Sequence, residues 1–279
     1  MFGNQWHKKE KPLLTLIGMS GGATSLSQTT SAGAGDAGSA NAIHFYRLGS
    51  DDFSDDGTAT GGNKRDFAMY EGSSAGVTGT AGATVGTMPP GLTSCRSMLS
   101  SIGYTANWRT SNGGFDWQST YAYIGFFCYP VDALGNPSAS DYWNVFWQKH
   151  VARTYVLDYW MNYSGQKRFD IPNANYNSRM FEDTAFSTGP TLDTWNYVRF
   201  GKNGTDAKCE IYTWNGSSWT KAVDDDQAGW TGNAPDGSVG NGDEYIEFWA
   251  TMNNRGQRGY VGNLGFYQTN DWGTDPPSS

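Results

Sequence analysis

The stretch that decides the fold runs from residue 195 to residue 223 and reads WNYVRFGKNGTDAKCEIYTWNGSSWTKAV. Two Asn-Gly pairs, Asn203-Gly204 and Asn215-Gly216, separate three runs that are rich in aromatic and β-branched residues. Asn-Gly between such runs is the strongest short-range hairpin signal, because both residues tolerate the positive φ of a type I′ turn. The sequence therefore predicts three consecutive antiparallel strands, at residues 195–200, 207–214 and 218–223.

The middle strand alternates between two kinds of side chain, as expected of a strand with one buried face. Its first set is small and apolar, and we expect it to face a core: Ala207, Cys209 and Ile211. Its second set carries charge or a hydroxyl, and we expect it on the opposite face: Lys208, Glu210 and Tyr212.

The same strand patterns recur on both sides of this region. The run 121–129 is continuously apolar and ends at Pro130, and the run 245–252 alternates, with Ile246 and Phe248 among the residues expected to face inward. Shorter strands are predicted at 41–48, 67–70, 144–148, 155–161 and 260–267. Many short strands at a spacing of roughly 8–12 residues are typical of a sandwich or barrel.

Composition supports an all-β protein and excludes several kinds of partner. The 279 residues include 37 Gly, 16 Tyr, 14 Phe and 12 Trp, with no sustained apolar pattern of helical period. A net charge of −8 argues against nucleic acid and anionic membranes as partners. No apolar run approaches the roughly 18 residues of a spanning helix, so no membrane insertion is expected. The three cysteines are too few and too scattered for a disulfide scaffold.

The N-terminal part of the chain has a different character. Residues 20–40 are rich in Gly, Ala, Ser and Thr, a composition typical of a flexible arm. We therefore predict an assembly or attachment arm at 1–40 and a sandwich at 41–279, with the strongest signal at 104–270; the alternative is that the arm lies along the sandwich. The apolar run 12–19 after three lysines is short for a signal peptide, so we expect cytoplasmic synthesis with no signal peptide removed.

The second half of the chain resembles laminin-G-like, concanavalin A-like jelly rolls. The resemblance lies in the order of four segments: YAYIGFFCYP (121–130), YVLDYWMNYSGQKRFDI (155–171), LDTWNYVRFGKNGTDAKCEIYTWNG (192–216) and RGYVGNLGFYQ (258–268). It implies an antiparallel two-sheet jelly-roll sandwich, here with an extended Gly-rich N-terminal arm.

A second resemblance concerns the start of the chain. The segment MFGNQWHKKEKPLLTLIGMSGGATSL (1–26) is similar to the opening of virion structural proteins of tailed bacteriophages. This resemblance implies a tail-fibre, tail-appendage or capsid-decoration protein located in the virion. Its expected partners are other virion proteins and copies of itself, in a homo-oligomer such as a trimer.

Catalytic chemistry finds little support. Jelly-roll glycoside hydrolases place two carboxylates on one strand, and a retaining pair lies about 5–5.5 Å apart. The nearest candidates, Asp243 and Glu247, are four residues apart and about 13 Å apart on a strand. We therefore predict no enzyme and no catalytic residue, and keep a jelly-roll glycoside hydrolase as an alternative.

Two acidic loops are candidates for a metal. Asp52 and Asp56 imitate the first half of a calcium loop, although Asn63 stands where a bidentate Glu is needed. Asp224 and Asp226, in the run Asp224-Asp225-Asp226, form a second oxygen-rich stretch. We predict no cofactor, because solvated acidic loops are the simpler interpretation, and calcium remains the alternative.

Exposed aromatic residues are the candidates for binding sugars, since pyranose rings stack on such side chains while carboxylates take their hydroxyls. Three tryptophans lie near predicted turns and one strand combines two aromatics with a carboxylate: Trp214, Trp219, Trp230, Tyr245, Glu247 and Trp249. The competing interpretation is that they fill a second layer or a subunit interface. Taken with the resemblance of residues 1–26, which implies a non-enzymatic structural component of a phage particle, these residues predict that it binds host or environmental glycans such as cell-surface polysaccharide; a lectin-like adhesion protein outside a virion is the alternative.

Overall fold

The computed structural model describes most of the chain from residue 36 onward. The described ranges are 36–60, 63–71, 79–98, 106–110, 113–131, 142–150, 153–162, 167–170, 179–183, 190–228, 244–248 and 259–277. All of them belong to one compact unit, Ser31–Ser279. Across these ranges there is no α-helix, and so no helix long and apolar enough to cross a membrane.

Fifteen strands account for the regular structure of the described residues. In chain order they are β1 (Ala42–Tyr46), β2 (Phe67–Glu71), β3 (Thr80–Ala83), β4 (Cys95–Ser97), β5 (Ala106–Thr110), β6 (Tyr121–Pro130), β7 (Tyr142–His150), β8 (Arg153–Asn162), β9 (Lys167–Asp170), β10 (Arg179–Asp183), β11 (Asn196–Asn203), β12 (Asp206–Trp214), β13 (Trp219–Ala228), β14 (Glu244–Phe248) and β15 (Gly259–Tyr267).

The strands form two antiparallel sheets. The eight-stranded sheet has the order β13-β12-β11-β6-β15-β4-β3, and β1 also pairs with β15. The first half of β15 pairs with β4 and its second half pairs with β1. Strands from the N-terminal and C-terminal parts of the described chain therefore lie side by side in one sheet. The seven-stranded sheet has the order β10-β9-β8-β7-β14-β5-β2.

The main hydrophobic core lies between the two sheets. Phe126 of β6 and Phe248 of β14 meet across it, with ring centroids 5.2 Å apart. Ile246 and Phe248 are fully buried, as their alternation predicts, and Ala207, Cys209 and Ile211 belong to the same core. The predicted antiparallel two-sheet jelly-roll sandwich is therefore confirmed.

Both predicted hairpins form, but the predicted type I′ turns are wrong. In the first, β11 pairs with β12 through Asn203 and Asp206, which leaves a two-residue loop. Only Gly204 takes a positive φ there, of 65°, and glycine at the first loop position is the mark of a type II′ turn. Asn203 is instead the last paired residue of β11. In the second hairpin, Trp214 pairs with Trp219, so the loop has four residues.

Residues 36–40, the only part of the predicted arm among the described residues, lie against the eight-stranded sheet. Ala37 is fully buried, and its backbone N–H donates to the Gly91 carbonyl at 3.0 Å. Asn263 of β15 donates to the Ala37 carbonyl at 3.0 Å, and the Tyr267 hydroxyl donates to the Gly38 carbonyl. The rest of the predicted arm lies outside the described residues.

Candidate carbohydrate-binding face

The candidate site lies on the face of the eight-stranded sheet that points away from the main core. A β-bulge in β13 creates it. Ile211 pairs with Val223 and Tyr212 pairs with Lys221, so Ala222 is an extra residue without a partner in the register. One extra residue reverses the faces of everything beyond it in the strand. The bulge therefore moves Trp219 from the core side to the outer side, where it pairs directly with Trp214.

The two tryptophans form the outer end of an aromatic cluster. Their ring centroids are 5.2 Å apart, and the ring planes are inclined by 54°. The ring centroid of Trp219 also lies 6.1 Å from that of Phe127. The buried members of the cluster come from the sheet and from the segments that cover it: Ala37, Leu92, Cys95, Phe127, Trp195, Tyr197, Tyr212 and Trp214. Trp219 is only half-buried. Among the described strands, β13 lies at the edge of its sheet, so Trp219 has a neighbouring strand on one side only.

Among the described residues, the indole N–H of Trp214 has no hydrogen-bond partner. The side chain is 8% exposed, and its Nε1 atom is buried. The neighbouring Trp195 differs in this respect, since its Nε1 donates to the Val85 carbonyl at 2.9 Å. Most buried polar groups in proteins do have a partner, so an unpartnered indole N–H in an otherwise ordered cluster calls for an explanation.

The loop beside these tryptophans is polar and internally braced. The Asn215 side-chain oxygen accepts from the backbone N–H groups of Ser217 and Ser218, at 2.9 and 2.8 Å. The Asn215 backbone N–H donates to the Ser218 carbonyl at 3.1 Å. All four loop residues are exposed. The loop therefore holds a fixed shape and presents hydroxyl groups next to Trp219.

Charged side chains occupy the other half of the same two strands. The Lys208 ammonium lies 2.8 Å from both Asp224 and Asp226, and the Lys221 ammonium lies 2.9 Å from Glu210 and 3.0 Å from Asp224. The two aspartates predicted as metal ligands thus lie together, and each already has a lysine as its counter-ion.

The pKa shifts follow from these pairs. Partial burial favours the neutral form of Lys208, but its hydrogen bonds to Asp224 and Asp226 outweigh that and raise its pKa. Partial burial likewise acts to raise the pKa of Asp224, yet the two lysines lower it overall. Both shifts favour the charged forms, so Lys208 and Asp224 stay ion-paired around neutral pH.

The segment 271–274 covers part of the charged half. Arg199 pairs with the fully buried Glu210, and Glu210 also accepts from the Gly273 backbone N–H at 3.0 Å. The Thr274 carbonyl accepts from Arg199 at 2.6 Å and from the Tyr212 hydroxyl at 2.8 Å. The outer face is therefore covered at this end, whereas at the hairpin end Trp219 is only half-buried.

The first acidic loop is arranged differently from a calcium loop. Asp52 is exposed and accepts from the backbone N–H and the hydroxyl of Ser54, while Asp56 pairs with Arg47. Between them Asp55, which the sequence did not single out, is fully buried and is bonded to His44 at 2.6 Å. Within the described ranges, no three His, Cys, Asp or Glu side chains form a group that could hold a metal ion.

The remaining candidates from the sequence are not brought into this site. Tyr245 and Glu247 lie on β14 of the other sheet, where their backbones pair with Lys149 and Trp147 of β7. Trp230, Trp249 and the hydrolase candidate Asp243 lie outside the described residues. The pairing of Trp214 with Trp219 depends on a bulge that has no sequence motif, and no signal in the sequence could have revealed it.

Comparison with known proteins gives similarities of structure only. No family model and no curated protein matches the sequence. Among solved structures, domain 4 of the GH43 arabinanase AbnA from Geobacillus stearothermophilus, in complex with arabinotriose, aligns at TM-score 0.44 and 10% identity over 86% of this chain and 94% of that one. Tailspike protein 2 of Escherichia coli O157:H7 bacteriophage CAB120 aligns at TM-score 0.45 and 10% identity, over 73% of this chain and 26% of the tailspike.

A third similar structure is the winged bean acidic lectin in complex with methyl-α-D-galactose, at TM-score 0.42 and 7% identity, over 81% of this chain and 92% of the lectin. The structures that this chain is similar to thus include lectin-like carbohydrate-binding domains and a phage tailspike.

Proposed function

We propose that this protein is a non-enzymatic carbohydrate-binding module whose ligand stacks on Trp219 at the β12–β13 hairpin. The observation that carries the proposal is the cross-strand pair of Trp214 and Trp219 on the outer face, next to a braced and exposed polar loop. An indole that only filled a second layer would be buried, whereas Trp219 is half-exposed.

The chemistry of the hairpin suits a neutral sugar. An indole face packs on the C–H groups of a pyranose, and hydroxyl groups such as those of Ser217 and Ser218 exchange hydrogen bonds with sugar hydroxyls. The nearest lysine, Lys221, is held by Glu210 and Asp224, so it is not free to attract an anionic sugar. A ring that covers about 60 Å² of indole at about 25 cal/mol/Å² gains about 1.5 kcal/mol.

A binding titration tests the proposal. Wild type is titrated with neutral hexasaccharides (cello-, xylo-, manno- and laminarihexaose) and with capsular polysaccharide of the host, in the presence of CaCl2 and then of EDTA. We expect micromolar-to-millimolar binding, equal in both buffers, and about a tenfold loss in Trp219→Ala, because the stacking term is lost.

Trp272→Ala is the matched control. Trp272 is also half-buried on the outer face, but it packs on Tyr123 at the opposite end of the sheet, with ring centroids 5.1 Å apart. It should bind like wild type. If Trp219→Ala binds sugar normally but changes the oligomeric state in light scattering, the pair is a subunit interface and the proposal is wrong.

We further propose that the module is carried on a tailed-phage particle, as part of a tail fibre, an appendage or the capsid surface. The support is the resemblance of residues 1–26 to virion proteins, and a homo-oligomer such as a trimer would give the weak single sites avidity. Gold-labelled antibody against residues 100–279 should mark a defined place on the particle. Label on cells or in the medium, with bare particles, would favour an adhesion protein outside a virion.

A further inference from the structure

We propose that the indole N–H of Trp214 is a ligand-binding donor, which hydrogen-bonds an oxygen of the bound sugar when the Trp219 ring turns aside. This inference rests on the proposed function and deepens it. Trp219 supplies the stacking surface, and Trp214 selects for a sugar that places an acceptor oxygen within hydrogen-bond distance of its indole N–H.

The first support is the missing partner. A buried N–H without an acceptor costs free energy, and folded proteins rarely leave one unless a water or ligand takes it up. Trp214 Nε1 is buried and unpartnered, whereas Trp195 Nε1 donates to the Val85 carbonyl at 2.9 Å and Trp272 Nε1 donates to the Lys202 carbonyl at 3.2 Å. The same sheet face thus satisfies two indoles and leaves the one beside the candidate site unsatisfied.

The second support is the position of Trp219, which lies directly beside Trp214. Trp219 is the direct cross-strand partner of Trp214, and its ring is inclined by 54° at a centroid distance of 5.2 Å. It is half-exposed and stands on an edge strand, next to an exposed loop. In this proposal a change of its rotamer opens a path to Trp214, and the main core, which lies on the other face of the sheet, is not disturbed.

The third support is that the competing contact is weak. An indole N–H can point at the face of a neighbouring ring, and Trp219 offers the nearest inclined one, but such N–H···π contacts are second-order compared with a hydrogen bond to oxygen. A sugar hydroxyl would supply the acceptor that the described part of the chain does not provide at this atom.

The experiment uses Trp214→Phe, which keeps an aromatic ring in the cluster and removes the indole N–H together with part of the ring system. It is titrated with the hexasaccharide that wild type binds best among the cello-, xylo-, manno- and laminari- series. We expect binding to weaken about five- to tenfold, and the midpoint of thermal unfolding to fall less than in Trp195→Phe, because both variants lose packing but only Trp195→Phe also loses a hydrogen bond. Trp195→Phe is the matched control: it should lower the midpoint, because the Val85 carbonyl loses its donor, and leave affinity unchanged.

A spectroscopic readout follows the atom itself. With 15N-labelled tryptophan, the Trp214 indole proton should move downfield during the titration, as expected for a new bond to oxygen. If Trp219→Ala loses binding while Trp214→Phe binds like wild type and the Trp214 signal stays in place, this inference is overturned and the proposed function stands. If wild type binds none of the hexasaccharides or host polysaccharides, the proposed function fails and this inference fails with it.

Discussion

Replacing Asp55 by asparagine exchanges one oxygen of a buried, fully hydrogen-bonded carboxylate for an NH2 group, which cannot accept hydrogen bonds. The carboxylate is fully buried and has four donors around it. One oxygen accepts from the backbone N–H groups of Phe45 and Gly57, at 3.1 and 3.0 Å. The other is bonded to His44 at 2.6 Å and accepts from the Arg65 backbone N–H at 3.0 Å. These bonds fasten Asp55 and the backbone of Arg65 to β1.

The expected loss in free energy of unfolding follows from what happens to each of these four donors. In Asp55→Asn the remaining oxygen keeps Phe45 and Gly57, and the new amide group faces His44, which can accept from it in its other tautomer. The Arg65 backbone N–H then faces a donor and is left without an acceptor, at a cost of about 2 kcal/mol. In Asp55→Ala all four donors lose the carboxylate, and we expect about 4 kcal/mol.

The assay is urea unfolding followed by tryptophan fluorescence and circular dichroism. Urea unfolding reports the loss of about 2 kcal/mol directly as a lower free energy of unfolding; a parallel thermal scan should show a Tm lower by roughly 4–8 °C. Asp52→Asn is the matched control, since Asp52 is exposed in the same loop and should change the free energy of unfolding by less than about 0.5 kcal/mol. The reasoning is refuted if Asp55→Asn matches wild type, or if Asp52→Asn is equally destabilising.

Three further outcomes are expected. Burial acts to raise the pKa of Asp55, but the interactions with His44 and the backbone N–H groups of Arg65 and Gly57 together lower it, so this stability is present above the unfolded value of about 4 and is lost as pH falls through the lower folded-state pKa; urea titrations at pH 7 and pH 3 should show a smaller pH effect in Asp55→Asn. Gly125→Ala should cost about 3 kcal/mol in the same titration, because its methyl group would overlap the buried Tyr197 hydroxyl, and a wild-type midpoint would contradict this packing. The native protein should react with Ellman's reagent only on unfolding, since Cys95, Cys128 and Cys209 are all buried and burial raises the pKa of the Cys95 thiol to about 12; release of thionitrobenzoate within minutes in native buffer would disprove it.

The sequence was informative where the deciding interactions are local. Alternation of period two fixed which residues of β12 face the core, because a pleated strand points successive side chains to opposite sides. Asn-Gly pairs located both hairpins between residues 195 and 223, but not their turn types, because the loop length depends on which residues pair. Thus Asn203 closes β11, and only Gly204 needs a positive φ.

Acidic residues show the limit of such patterns. Asp52, Asp56, Asp224 and Asp226 were singled out by spacing alone, whereas the carboxylate that organises its loop is Asp55, between the first two. Whether an aspartate meets solvent, a lysine or backbone N–H groups depends on segments that are distant in sequence. For Asp55 one of those donors is on Arg65, ten residues away.

The sequence by itself determined the class of this protein: an all-β sandwich with aromatic residues and glycine-bearing turns, because strand propensity and alternation are properties of neighbouring residues. Only the tertiary structure decided that β15 pairs with both β1 and β4, and that one extra residue at Ala222 moves Trp219 from the core side to the face of Trp214. The physical reason is that pairing register is a relation between strands. A single-residue shift costs little locally, yet it exchanges every side chain beyond it between the buried and the exposed face.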